Sequence, residues 1–142
     1  MADVTKVTAA IRAVEGAAHQ VYTADAASGY TPVVGDLVAI AGNDTVDECD
    51  ATDANGLVEP IGVVESFKAV RTTAGAAGYR VTARFGGILE GFTGLTAGTV
   101  LYNSTTAGAI ADADPTASGV TGIPIGVAIN ATQVLLALPR LV

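Results

Sequence analysis

The chain has 142 residues, a net charge of −7 and a hydrophobic share of 50%, yet aromatics make up only 5% and Trp is absent. Its length fits one domain on a scale of roughly 100–200 residues per domain, and a chain this rich in branched aliphatics, with 15% charged residues, is not disordered. An acidic chain is poorly suited to nucleic acid, which is held by Lys and Arg against phosphates.

Residues 1–30 read as an N-terminal arm or short helix. Val4, Val7, Ile11, Val14, Ala18 and Val21 recur at steps of three and four, an apolar stripe of helical period, and Asp3 suits an N-cap. β-Branched residues and Gly16 weigh against a helix, so helix and extended arm both stay open. Asp3, Lys6, Arg12 and Glu15 interrupt the apolar stretch a secretory signal would need, which predicts synthesis and folding in a cytoplasm.

Residues 31–142 read as a β domain. Leu37–Ala41, Leu57–Thr72, Tyr79–Phe85, Ile88–Phe92, Thr99–Asn103, Ala109–Ala111, Ile123–Asn130 and Gln133–Leu138 are short β-prone runs separated by Gly-rich turns. Tyr79, Val81, Ala83 and Phe85 alternate with Arg80, Thr82 and Arg84, the period of a half-buried strand. Gly86-Gly87 marks a bend. The stretch from Pro115 to Pro139 is free of charge but broken by Pro115, Pro124, Pro139 and three glycines, so it is no membrane span. The expected class is all-β, a compact barrel or sandwich.

Pro60-Ile61-Gly62-Val63-Val64 recurs as Pro124-Ile125-Gly126-Val127-Ala128, and Gly35-Asp36-Leu37-Val38 is echoed by Gly98-Thr99-Val100-Leu101. Each pair of motifs encloses a polar excursion, 43–55 and 103–118. Two motifs repeated in the same order predict a duplicated β unit.

Charge is uneven. Residues 1–65 hold eleven acids against two bases, and residues 66–142 hold three acids against five bases. Lys68, Arg71, Arg80 and Arg84 share a stretch without acids and would suit an acidic partner.

Chemistry finds little purchase. His19 is the only His and Cys49 the only Cys, so no intrachain disulfide forms. The carboxylates of Asp47, Glu48 and Asp50 beside Cys49 would raise its thiol pKa, the wrong direction for a nucleophile. Two such ligands are too few for structural zinc. Asp53-Ala54-Asn55-Gly56 resembles the middle of a calcium loop, but an EF-hand register puts Ala51 first and Gly62 twelfth. Whether the acidic loop holds calcium stays open. No phosphate loop or nucleophile elbow is present. No catalytic, metal or cofactor site is expected.

With the Gly-Asp-x-Val strand opening at Gly35-Asp36-Leu37-Val38, the two Ile-Gly-Val strands and Leu95-Thr96-Ala97-Gly98-Thr99-Val100-Leu101-Tyr102, the chain resembles the capsid decoration (cement) proteins of tailed double-stranded DNA phages. The resemblance runs from about Val33 to Leu138 and rests on motifs that encode β turns. It implies a compact, β-tulip-like domain without enzymatic activity, cofactor, nucleic acid or membrane. Such a domain binds the capsid exterior of the virion as a homotrimer and bridges neighbouring copies of the major capsid protein. On that likeness Val4, Val7, Ile11 and Val14 would form the attaching arm or trimer contact, and Lys68, Arg71, Arg80 and Arg84 the face toward the shell. Deleting residues 2–22 would then abolish binding and leave the β domain folded. A phage tail, head-fibre or adhesin module is the alternative structural reading. A carrier domain would need Lys68 in a tight hairpin turn rather than in a strand.

Overall fold

The structure is a computed structural model that describes residues 3–13, 21–52, 57–71, 77–118 and 120–138. It is all-β. The strands are β1 (Thr5–Lys6), β2 (Arg12–Ala13), β3 (Val21–Ala26), β4 (Leu37–Gly42), β5 (Thr45–Glu48), β6 (Pro60–Arg71) and β7 (Ala77–Arg84). They continue with β8 (Gly86–Glu90), β9 (Phe92–Thr93), β10 (Val100–Asn103), β11 (Ile110–Ala111), β12 (Pro124–Ala128) and β13 (Gln133–Ala137). Among the described residues no helix is long and apolar enough to cross a membrane.

Five strands pair in a ring, β3-β5-β4-β6-β7, which closes because β3 is parallel to β5 and antiparallel to β7. Alternation puts Ala24, Val38, Val46, Val64, Val81 and Ala83 inside it. The outer row Leu37–Val63–Arg84 runs across paired positions of β4, β6 and β7. A six-stranded sheet, β11-β10-β12-β13-β8-β2, buries its inner face, with Leu89, Leu101, Ile125, Val134 and Leu136, against that outer row. The chain passes from ring to sheet at Phe85–Gly86, where the glycine pair had predicted a bend.

The two sequence echoes occupy matching places. Leu37 pairs with Val63, Val38 with Gly62 and Ala39 with Pro60, with a register shift after Val38. Val100 pairs with Val127, Leu101 with Gly126 and Tyr102 with Pro124, with the same shift after Leu101. Gly35 and Gly98 both take positive φ, 98° and 86°, and their N–H groups donate to Val64 O and Ala128 O, each at 2.8 Å. Even the Asp50–Thr52 side-chain turn is matched by Asp114–Thr116. The strand order β5-β4-β6-β7-β3 thus has its counterpart in β11-β10-β12-β13-β8.

Closure differs between the two. In the second unit, residues 3–13 fill the gap: Asp3 bridges Ala111, β1 pairs with β9, and β2 pairs with β8. The segment is strand, 3-10 turn (Thr8–Ala10) and strand, docked on the sheet. Val4 and Ile11 are buried, at 8% and 6% exposure, because both point into the core between ring and sheet. β3, inside the stretch read as arm, is an integral stave of the ring. The acidic excursion after Gly42 is partly strand, since Thr45–Glu48 pairs with both β4 and β3.

Candidate interaction surfaces

The expected N-terminal contact residues are split by the fold. Val7 is exposed at 45%, Val4 and Ile11 belong to the core, and Val14 lies outside the described residues. The correction has a physical reason: a helical spacing of apolar residues also arises when two short strands flank a turn and the residue just before each strand, Val4 and Ile11, turns inward. Gly91 (φ +108°) allows the close approach, since a Cβ there would lie 2.6 Å from Ala10 C and Ile11 N. Lys6 fastens the segment from outside, donating from Nζ to Gly35 O at 2.7 Å and, more weakly, to Gly108 O at 3.4 Å. Its burial lowers the ammonium pKa, against the raising effect of Asp36, Asp3 and Glu48.

The four bases also separate. Arg84 is buried, at 5% exposure, and donates from Nε to Glu65 at 2.8 Å and from Nη1 to Gly86 O at 3.3 Å. It is therefore not a surface contact. It stands on the outer side of β7 as alternation predicts, but the sheet covers that side. Arg80 pairs with Asp25 at 3.0 Å on the ring wall. Lys68 and Arg71 are exposed on the part of β6 that continues beyond its last pairing with β4 at Val63. Among the described residues only β7 pairs with this extension, so β6 and β7 project as a hairpin with one open edge. Lys68 lies opposite Arg80, whose charge Asp25 offsets, which leaves Lys68 as the outlying positive charge. Phe67 and Tyr79 stiffen the hairpin by an edge-to-face contact at 5.8 Å.

A third surface has no signature in the sequence motifs. Val100, Val127, Leu135 and Ile88 form one cross-strand row on the outer face of the sheet. Val100, Val127 and Leu135 are exposed at 39%, 37% and 45%. Only the pairing of strands far apart in sequence assembles this row.

The acidic region gathers around Tyr30, whose hydroxyl donates to Asp36 at 2.8 Å, beside a cavity of about 510 Å3 lined in part by Tyr30, Asp47 and Glu48. Burial, then Asp36, Asp47 and Asp50, raise the Glu48 pKa, while Lys6 lowers it. A raised pKa means that the folded state holds this proton more firmly than the unfolded state. Stability from this site therefore falls as pH rises through the raised value. Glu48→Gln is expected to raise the unfolding midpoint at neutral pH while leaving it nearly unchanged near the ordinary carboxylate range, about pH 4. Equal effects at both pH values would refute this. Cys49 is fully buried, with Sγ 3.3 Å from Val58 O, and its thiol is pushed up to about 12 by burial first and Asp50 second. Among the described residues no group of three or more His, Cys, Asp or Glu is placed to hold a metal; residues 53–56 and His19 lie outside them. No family model matches the chain, and no curated protein or solved structure is significantly similar to it.

Proposed function

We propose that the chain is a non-enzymatic structural virion protein that binds the outside of a tailed-phage capsid and stabilises the shell by bridging neighbouring copies of the major capsid protein. The observation that supports this most is the projecting β6–β7 hairpin, which exposes Lys68 and Arg71 on a domain of net negative charge. A shell protein with an acidic outer surface attracts such a hairpin, and three copies around a local three-fold position bring three hairpins to bear on one cluster of subunits. Binding one state of the shell and not others stabilises that state by mass action. Val7, exposed on the sealed N-terminal segment, is the remaining candidate for contact among the described residues of Val4, Val7, Ile11 and Val14.

The test is copy number in purified particles relative to the most abundant shell protein. Near-stoichiometric abundance is expected. A handful of copies per particle moves the protein to tail or fibre, and absence from particles ends the virion reading. In re-binding assays on stripped shells, Lys68→Glu with Arg71→Glu is expected to weaken attachment at least about tenfold at low salt, with a smaller loss as salt screens the contact. Unchanged attachment would remove the hairpin from the interface.

A further inference from the structure

We propose that the outer face of the six-stranded sheet, centred on Val100, Val127 and Leu135, is where two copies of this chain meet face to face. Internal equivalence carries the argument. The row Leu37–Val63–Arg84–Val21 in the first unit corresponds, pair by pair, to Val100–Val127–Leu135–Ile88 in the second. In the first unit Leu37 and Val63 are at 0% exposure and Arg84 at 5%, because the second sheet covers them. The same row one repeat later is open and more apolar, with Leu135 in the place of Arg84. Single exposed aliphatics need no explanation, but three exposed side by side on adjacent strands, with half-buried Ile88 continuing the row, mark an interaction surface.

Three features favour a second copy as the occupant. Both ends of the sheet are already partly taken, β8 by β2 and β11 by the Asp3 bridge, which favours contact on the face. Among the described residues of β8, β10, β12 and β13, Glu90 is the only charged side chain on that face, and it is paired with Arg12. The face therefore selects no charged partner. Acids are concentrated in residues 1–65, so two acidic molecules meet with least repulsion across this uncharged row. A two-fold axis through the row sets aliphatic side chains against aliphatic side chains, in the manner of aligned sheets about 10 Å apart. Four strands about 4.8 Å apart give a face well short of the roughly 800 Å2 per partner of a stable complex, so the pairing is weak. It links copies in twos, separately from any ring of three on a shell.

Sedimentation equilibrium of the purified full chain tests this without particles, so its outcome is independent of the shell reading. The expected result is a monomer at micromolar concentration and a mass rising toward two copies at about 1 mM. Val127→Lys and Leu135→Lys, both at exposed positions, are each expected to weaken the association at least about tenfold with an unchanged unfolding midpoint. Lys68→Glu, on the hairpin, is expected to leave it intact. A chain that stays monomeric at about 1 mM, an association indifferent to both lysine variants, or a mass that levels at three copies would overturn the proposal.

Discussion

Deleting residues 1–13 is expected to unfold or nearly unfold the whole domain, where the arm reading expects a folded domain that has merely lost its attachment. Val4 and Ile11 lie in the core shared by ring and sheet, and burial of each such side chain is worth about 1.5–3 kcal/mol. The segment also supplies the pairs to β8 and β9 and the bridge to β11. With it gone, the core edge opens to water along its length. A loss of about 5 kcal/mol would consume most of the stability of a typical domain. Urea unfolding by circular dichroism reads this directly, and Ile11→Ala serves as the milder variant, expected to cost about 2–5 kcal/mol. A truncated chain with an unshifted midpoint would restore the arm. The distinction also matters for any shell assay, because loss of binding after truncation would report unfolding rather than loss of a contact.

The sequence reading and the structure part company at identifiable residues. Strand alternation was legible at Val81 and Ala83, which face the ring interior with Thr82 between them half-buried. It fails at Arg84, which is buried, and at Phe85, which lies past the end of β7 and packs against the other core. The Gly86-Gly87 pair marks the place where the chain leaves the ring for the sheet. β3 was missed: its inward residue is Ala24, flanked by Tyr22 and Ala26, a face too small and mixed to announce itself, while Val14, Ala18 and Val21 suggested a different period. Arg84 was assigned to the surface because a charged residue on the polar side of a strand is usually solvated. Only the packing of a second sheet on that side, with Glu65 present as partner, makes its burial possible. The Val100–Val127–Leu135–Ile88 row could not be read at all, since register between distant strands is a property of the fold. The motif echo was legible as a repeat, but its physical meaning was not. What looked like a low-information turn motif is a packing requirement.

Gly126→Ala makes that requirement measurable. A Cβ at Gly126 would fall onto the carbonyl oxygen of Leu135, a backbone atom of the adjacent strand β13. No rotamer change relieves such a contact, so β12 and β13 must separate where they pair. Overpacking of ordinary cores costs about 1–3 kcal/mol and more where backbone must move; about 3 kcal/mol or above is expected here. Gly62, its counterpart, would set a Cβ 2.9 Å from Ala83 Cβ and 3.0 Å from Arg84 O, so Gly62→Ala is expected to cost less, about 1–3 kcal/mol. Gly98 is the control, since a Cβ there meets nothing within 4 Å and the positive φ alone opposes it, a strain of about 1–2 kcal/mol. The expected order of destabilisation is Gly126→Ala, then Gly62→Ala, then Gly98→Ala. If Gly126→Ala proved no worse than Gly98→Ala, the glycine would be serving the turn chemistry of its motif and not the contact between strands. The observed order would then separate two reasons for a repeated glycine that the sequence alone presents as one.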